Sequence, residues 1–256
     1  MFKTITLRQM KNNTIIFILF LYTGFCFAAD PANLLFIGNS FTYVNNMPGM
    51  VKALAVANEK VINIEQITKG GYSIVQHAKD PKTLNALASK KWDIVVFQGQ
   101  SLEPIVDKPN MIKSGKELAD KCKEAKLMLY LTWAYQTEER FFIKARKTSI
   151  GNLKNEELKS LYANMQKLLT EGYNAMAEEI HAEVVPVGLA WEVSRKRYPS
   201  LNLFRKDEYH PSKQGTYLSA IVFYKAIFGQ SPEKAALKFS DQANHNKMET
   251  VVDGLK

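Results

Sequence analysis

The chain has 256 residues, of which 46% are hydrophobic and 23% are charged, and its formal net charge at pH 7 is +9. These values fit one globular domain with a sizeable core, and they exclude a disordered, collagen-like or disulfide-rich chain. Basic and acidic residues are interspersed, without the alternation of basic and aromatic residues that would indicate a nucleic-acid surface. We therefore expect no nucleic-acid partner.

The N-terminal segment has the layout of a secretory signal peptide. Lys3, Arg8 and Lys11 form a basic region without acidic residues, and a mostly apolar run follows at 15–27. This run is shorter than the roughly 20 residues that a membrane-spanning helix needs, and small residues suitable for cleavage end it. An uncleaved N-terminal anchor is the alternative interpretation.

Cleavage of this segment would define the mature protein. The prediction is a signal peptide at 1–28 and a single domain at 29–256, secreted or periplasmic, with no stable membrane insertion after cleavage. Removal of the three basic residues lowers the net charge to +6. Only one cysteine, Cys122, is then left, so the domain has no internal disulfide and depends on its core for stability.

Short apolar runs alternate with helical patterns along the mature sequence. The predicted strands lie at 33–37, 61–68, 92–98, 127–132 and 183–187, and the predicted helices at 48–60, 73–88, 110–125, 158–181 and 212–228. Pro81 is expected to break the second helix, and the polar stretch 136–155 is predicted to be an insertion, either a substrate lid or an ordinary surface loop. The βαβα alternation predicts a parallel sheet covered by helices on both faces.

Glycines and polar residues cluster directly after the predicted strands. They are the segments GNS at 38–40, GGYS at 70–73, QGQS at 98–101 and WAY at 133–135. In open α/β sheets the ligand lies beyond the carboxyl ends of the strands. We therefore expect the functional site at this edge of the sheet.

Asp207 and His210 form the first candidate pair. They are three residues apart, so in a turn they share one side, where the carboxylate can hold the imidazole through Nδ1–H and leave Nε2 as a base. A surface loop and a metal site are the alternatives. No other His or Cys falls at ligand spacing nearby, so we expect no metal.

Ser40 is the candidate nucleophile. It follows Gly38 at the end of the first predicted strand, where its hydroxyl would be exposed above the sheet, and a base within hydrogen-bond reach would activate it. The alternative is that Ser40 caps the next helix.

An oxyanion hole needs hydrogen-bond donors close to the nucleophile. The candidates are the backbone N–H groups of Ser40 and Gly71 and the side-chain amide of Gln98. Gln100 competes with Gln98, because strand alternation does not tell which of the two points into the site. Trp133 and Tyr135 are candidate substrate-binding residues that would stack on a sugar or line an acyl group, or else aromatics that pack the rim.

Three of these segments together resemble a known family. FIGNS at 36–40, Gly71 and DEYHP at 207–211 match the nucleophile, glycine and Asp-x-x-His-Pro blocks of the GDSL/SGNH hydrolase superfamily, with Asn39 where aspartate is commonest. The third block, FQGQS at 97–101, departs from the usual Gly-x-Asn-Asp. It is similar to the Gln-Gly-Glu-Ser form of carbohydrate acetylesterase branches, which favours Gln98 as the donor.

The resemblance implies a flavodoxin-like three-layer α/β/α sandwich with a parallel sheet of about five strands. It also implies ester hydrolysis without a metal or other cofactor, with Ser40 as nucleophile, His210 as base and Asp207 orienting His210. O-acetyl groups on a carbohydrate are the preferred substrate. The alternatives are a lipase, a thioesterase or an acyltransferase with the same triad, or a non-catalytic glycan-binding protein on the same fold.

Overall fold

The computed structural model describes residues 31–122, 124–236 and 238–255, so the predicted signal peptide lies outside the described residues. The strands are β1 (Ala32–Gly38), β2 (Ile62–Thr68), β3 (Ile94–Phe97), β4 (Lys126–Tyr130) and β5 (Glu183–Val185). They form a parallel sheet in the order β2-β1-β3-β4-β5, which is the flavodoxin-like order. The predicted α/β class and parallel sheet are confirmed.

Helices cover the sheet in two layers. The helices are α1 (Ser40–Tyr43), α2 (Met47–Ala57), α3 (Ile74–His77), α4 (Pro81–Ala88), α5 (Glu103–Val106), α6 (Lys108–Ala119), α7 (Glu138–Ala145), α8 (Asn155–Ala163), α9 (Met165–Ile180), α10 (Val187–Arg197), α11 (Lys213–Phe228) and α12 (Gln242–Asp253). Helices α2, α10, α11 and α12 pack on one another in one layer, and α3, α5, α6 and α9 form the other.

The central strands read as continuous apolar runs because helices cover both of their faces. All four residues from Leu34 to Ile37 in β1 are fully buried, as are the last three residues of β3. The register pairs Ile37 with Phe97 and Gly38 with Thr68. The carboxyl ends of β1, β2 and β3 therefore lie side by side, and the residues that follow them meet at one edge.

Two boundaries differ from the predicted ones. The helix predicted at 158–181 is two helices, α8 and α9, because Asn164 leaves the helical conformation at φ −106° and ψ 10°. The fifth strand ends at Val185 rather than Val187, since Pro186 precedes the first turn of α10. The predicted break at Pro81 does occur, as α4 begins at this proline.

Four helices and one helical insertion lie outside the predicted helices. The short helices α1 and α5 and the longer helices α10 and α12 fall outside the predicted helix ranges, and the polar segment 136–155 contains the whole of α7. Within the described ranges, no helix has the length and apolar character needed to cross a membrane.

Candidate active site

Ser40 is the first residue of α1, directly after the turn that ends β1. The turn is held by Asn39, whose Oδ1 accepts a hydrogen bond from the N–H of Phe41 across 3.1 Å. The Nδ2 of Asn39 donates to the carbonyl oxygens of Tyr72 at 2.8 Å and Gly99 at 3.1 Å. One side chain thus joins the segments that follow β1, β2 and β3. Asn39 is the cap of α1, so the hydroxyl of Ser40 is not used for capping.

Gln98 lies beneath this turn and is fully buried. Its Oε1 accepts hydrogen bonds from the N–H of Asn39 and from the hydroxyl of Thr42, each across 2.9 Å. Gly38 leaves room for it, because a Cβ there would stand 2.6 Å from this Oε1 and 2.5 Å from Thr42 Oγ1. The prediction of Gln98 as an oxyanion donor does not fit this geometry, because the carboxamide is buried in the turn and away from the cavity at the nucleophile.

Ser40, His210 and Asp207 form a chain of hydrogen bonds. Ser40 Oγ lies 2.8 Å from His210 Nε2, and His210 Nδ1 lies 2.7 Å from Asp207 Oδ2. Since a carboxylate oxygen only accepts, the matching tautomer carries its proton on Nδ1 and leaves Nε2 to accept the proton of the serine hydroxyl. The structure thus brings together the three residues that the sequence predicts as nucleophile, base and orienting acid.

Asp207 is held as an ionised group. Its Oδ1 accepts hydrogen bonds from the backbone N–H groups of Tyr209, at 3.3 Å, and His210, at 3.0 Å. Partial burial acts to raise the pKa of Asp207, but the hydrogen bonds from the His210 side chain and from these two N–H groups outweigh it and hold the pKa below its ordinary value. The carboxylate is therefore available to orient the imidazole.

The loop that carries this pair is fixed at its end. Asn45, on the turn between α1 and α2, donates through Nδ2 to the carbonyl oxygen of Pro211 at 3.0 Å and to Thr216 Oγ1 at 2.9 Å. An antiparallel bridge joins Phe204 and Pro211 across the loop. The loop is therefore held together across its two ends, and it is also hydrogen-bonded to the segment that follows Ser40.

A cavity of about 230 Å³ opens in front of Ser40. Its lining residues are Asn39, Ser40, Phe41, Tyr43, Gly70, Gly71, Gln100, Ser101, Lys144, Tyr209 and His210. It is smaller than the roughly 300–1,000 Å³ that is usual for pockets of drug-sized ligands. The cavity is therefore large enough only for a small group next to Ser40.

Two backbone donors and one side-chain amide reach this cavity. Within the described residues, no acceptor takes the N–H of Ser40 or of Gly71. Gly71 has a φ of +74°, a left-handed conformation that favours glycine, and a Cβ there would meet nothing within 4 Å. Gln100 Nε2 donates to Ser101 Oγ at 3.1 Å, and its Oε1 accepts from the N–H of Leu102 at 2.8 Å.

Trp133 and Tyr135 are buried beneath the site and do not line this cavity, contrary to their predicted role as substrate-binding residues. Trp133 stacks between Phe41, at a centroid distance of 4.6 Å, and Trp191, at 3.8 Å, while its Nε1 donates to the carbonyl oxygen of Tyr209. These contacts fix the loop that carries His210. Both aromatics instead border a separate cavity of about 430 Å³.

The hydroxyl of Tyr135 lies 2.6 Å from Ser101 Oγ, and burial raises the pKa of this tyrosine well above its ordinary value. Tyr135 therefore stays neutral and serves as a partner of a cavity residue. The aromatic side chains that do reach the cavity are Phe41, Tyr43 and Tyr209.

Glu103 is a buried carboxylate that sequence patterns did not single out. Its Oε2 accepts hydrogen bonds from the N–H groups of Gln100 and Ile74, each across 2.9 Å, and its Oε1 accepts from Val75 at 3.2 Å. Burial raises the pKa of Glu103, and the three N–H donors oppose that rise. Glu103 thus ties the segment of Gln100 to the helix that follows Gly71.

His77 is a second buried support of the site. Its Nε2 lies 2.9 Å from the carbonyl oxygen of Gly38 and its Nδ1 lies 2.8 Å from Thr83 Oγ1. Burial lowers its pKa, which favours the neutral ring, with Nε2–H donating to Gly38. The ring thereby fixes the residue two positions before the nucleophile.

The insertion at 136–155 contributes to the site through α7. Thr137 caps this helix, and its hydroxyl donates to Glu208 Oε2 across 2.7 Å. Lys144, in the last turn, lines the cavity and places its Nζ 3.9 Å from the centroid of the Tyr209 ring. The insertion is therefore a fixed wall of the site in this structure.

Comparisons with known proteins identify the fold. No family model and no curated protein matches the chain. A solved structure of a protein assigned to the SGNH hydrolases, from Slackia heliotrinireducens, aligns over 77% of this chain and 100% of its own with 25% identity and a TM-score of 0.61. A DUF4886 family protein from Bacteroides uniformis aligns over 88% of this chain and 96% of its own, with 20% identity and a TM-score of 0.63.

The psychrotrophic esterase EstA from a Pseudoalteromonas species aligns over 77% of this chain and 97% of its own, with 15% identity and a TM-score of 0.52. This chain shares its fold with these three structures. The resemblance to the GDSL/SGNH hydrolase superfamily, inferred from three short segments of sequence, is confirmed at the level of structure.

Proposed function

We propose that the protein is a serine esterase that hydrolyses carboxylic esters through an acyl-enzyme. The likeness to SGNH-type structures supports a hydrolase of this family. The observation that carries the proposal is the chain of hydrogen bonds from Ser40 through His210 to Asp207, which ends at a cavity. A serine that only capped a helix would not need a histidine at 2.8 Å that is itself hydrogen-bonded to a carboxylate.

The proposed reaction uses each member of this chain in turn. Ser40 Oγ attacks the ester carbonyl while His210 Nε2 takes the hydroxyl proton. Asp207 holds His210 in the tautomer that has Nε2 open and stabilises the imidazolium that forms. His210 then gives the proton to the leaving alcohol, and a water molecule activated in the same way releases the acid from Ser40.

The oxyanion of each tetrahedral intermediate needs donors that are in place before the reaction. We assign this role to the backbone N–H groups of Ser40 and Gly71. Gln100 replaces Gln98 as the side-chain donor, because Gln100 lines the cavity and Gln98 is buried beneath the turn.

Short acyl groups are the proposed substrates, since the cavity of about 230 Å³ leaves little room beside the nucleophile. O-acetyl groups on a carbohydrate are the preferred candidate within this class, as the third block at 97–101 resembles that of carbohydrate acetylesterases. Export through the signal peptide at 1–28 would bring the enzyme to glycans outside the cytoplasm. An acetyl ester is therefore the first substrate to test.

The test is hydrolysis of p-nitrophenyl acetate by the chain from Ala29 onward, beside Ser40→Ala and His210→Ala. We expect both variants to lose at least about 10³-fold in kcat, as residues that act as one unit do. Butyrate and octanoate esters, assayed in parallel, are expected to react progressively more slowly. Thermal unfolding of each variant establishes that it is folded.

A phosphonate ester of p-nitrophenol gives an independent readout, because it forms a stable bond with an activated serine. Peptide mass spectrometry is expected to find the added phosphonyl group on Ser40 and to find none in the His210→Ala protein. Equal, near-background rates in all three folded proteins, together with no labelling of Ser40, would contradict the esterase. A rate that rises with acyl length would favour the lipase or thioesterase instead.

A further inference from the structure

Two cations of α7 lie over one aromatic ring at the mouth of the cavity. Lys144 Nζ is 3.9 Å from the centroid of the Tyr209 ring, and the guanidinium carbon of Arg140 is 5.8 Å from it. Tyr209 precedes His210, and the centroids of their rings are 4.0 Å apart. The positive charges are therefore placed next to the proposed base.

Neither cation has an acidic partner within the described part of the chain, where no carboxylate oxygen lies within 4.0 Å of either side chain. The Nε of Arg140 is buried without a hydrogen-bond partner. Like charges four residues apart on a helix repel each other. Arg140 and Lys144 therefore leave a positive electrostatic potential beside the site, together with one unsatisfied donor of Arg140. An anionic group could bind to both.

The two carboxylates of the loop that carries His210 are engaged elsewhere. Asp207 accepts hydrogen bonds from His210, and Glu208 accepts one from Thr137. No Asp or Glu is among the described residues that line the cavity. Of these lining residues, only Lys144 and His210 have side chains able to carry a positive charge, and the rest of the wall is uncharged. An anion bound there would meet no opposing carboxylate.

We propose that the natural substrate is an ester that carries a carboxylate close to the reacting carbonyl, and that Lys144 binds this carboxylate, with Arg140 adding to the potential. Tyr209 holds the ammonium group at the mouth by the attraction between a cation and an aromatic face. This inference rests on the proposed esterase function. The carboxylate belongs either to the acyl part or to the alcohol part of the ester, and the substrates below separate the two.

The experiment compares matched esters that differ by one charge. For the alcohol part the pair is 4-acetoxybenzoate and 4-acetoxybenzamide. For the acyl part the pair is the p-nitrophenyl esters of succinic acid and of succinamic acid, with the spontaneous rate subtracted. The measured quantity is the ratio of kcat/KM for the anionic ester to that for its neutral partner.

Lys144→Gln is expected to lower this ratio about two- to five-fold for one of the two pairs, as loss of a partly exposed ion pair does. Lys147→Gln is the matched control, because Lys147 lies one turn further on, is exposed and does not line the cavity. It removes the same charge from the protein and is expected to leave both ratios at the parental value. Added salt is expected to lower the parental ratio.

A binding measurement keeps the inference testable if no ester is turned over. The Ser40→Ala protein is titrated with 4-acetamidobenzoate and with succinate, each beside its neutral amide, by calorimetry. Tighter binding of an anion than of its amide, lost in Ser40→Ala/Lys144→Gln, supports the anion site even if the esterase proposal fails. Parental ratios in Lys144→Gln, or equal binding of anions and amides, overturn the inference while leaving hydrolysis of neutral esters intact.

Discussion

Replacement of Glu103 by glutamine tests whether a buried carboxylate positions the oxyanion donors. The two oxygens of Glu103 accept three backbone N–H groups, from Ile74, Val75 and Gln100. A glutamine side chain of the same shape keeps one acceptor oxygen and turns an NH₂ group toward the other donors. In the better of its two orientations, the oxygen serves Ile74 and Gln100, and the N–H of Val75 faces another donor.

The expected loss of folding free energy follows from the number of backbone donors left without an acceptor. One buried donor left without an acceptor costs about 1–3 kcal/mol of folding free energy. At about 2–4 °C per kcal/mol for a domain of this size, the unfolding temperature of Glu103→Gln falls by roughly 2–12 °C. Glu103→Ala leaves all three donors unpaired and is expected to be destabilised further.

The catalytic effect distinguishes a positioning role from a purely structural one. Because Glu103 fixes the backbone of Gln100 and the helix after Gly71, we expect Glu103→Gln to lower kcat for p-nitrophenyl acetate about ten-fold, while KM changes little. Glu117→Gln is the matched control, since Glu117 is an exposed residue of α6. Thermal unfolding and kinetics are measured on the same preparations, well below the unfolding temperature.

The reasoning is refuted if Glu103→Gln unfolds with the parent and has the kinetics of the parent. A variant that is less stable but has an unchanged kcat would contradict the positioning role alone. In that case Glu103 would hold the fold together without bearing on the oxyanion donors.

The remaining predictions concern the donors and the acid. Gln100→Ala is expected to lower kcat about 10²-fold and to lower the folding free energy by about 1 kcal/mol, because the N–H of Leu102 loses its acceptor. Gln98→Ala loses about 1–3 kcal/mol of folding free energy in chemical denaturation. Gly71→Ala forces a side chain into the left-handed region at about 1–2 kcal/mol and displaces an N–H donor, so both kcat and the unfolding temperature fall. The lowered pKa of Asp207 contributes stability that is present above the unfolded value, about 3.9, and lost as the pH falls through the folded value. The gap in unfolding temperature between parent and Asp207→Asn is therefore expected to be largest near neutral pH and to close in acid.

The positions of the strands and of most helices along the chain could be predicted because local patterns determine them, whereas the flavodoxin-like arrangement of the sheet was implied by the resemblance to a known family. The run at 34–37 is buried on both faces, and its uninterrupted apolar sequence predicts this burial. The break at Asn164 could not be predicted in this way, because the apolar period continues across it and packing of the two helices decides where the chain turns. Helix α10 could not be predicted because it begins one residue after a strand of only three residues. The apolar pattern therefore shows no boundary between the strand and the helix.

The choice between Gln98 and Gln100 shows the limit of reasoning from strand alternation. The third strand ends at Phe97, so neither glutamine lies in the regular pleat that alternation describes. Contacts distant in sequence set their directions, with Asn39 drawing Gln98 beneath the turn and Glu103 holding the backbone of Gln100. Trp133 is a similar case, because its stacking partners lie far away in the chain.

The supports of the nucleophile turn have one property in common, which bears on how the site works. Each of four buried polar residues makes at least one hydrogen bond to a backbone group at or just after the end of β1, β2 or β3; they are Asn39, His77, Gln98 and Glu103. Such groups destabilise a fold unless their partners are in place. The segments therefore cannot drift apart without leaving several donors and acceptors unpaired at once.

This arrangement explains how the residues of the proposed active site can lie on loops and still be preorganised. Hydrogen-bond donors lower the activation barrier only if they already face the developing charge. Reorienting them during the reaction would offset the stabilisation of the transition state. Here the N–H groups of Ser40 and Gly71 belong to segments that buried side chains lock together, while the loop of His210 is fixed separately by Asn45 and Trp133. Loss of a support should therefore change kcat together with stability, whereas loss of Gln100, which holds only the N–H of Leu102 and the hydroxyl of Ser101, should lower kcat far more than stability.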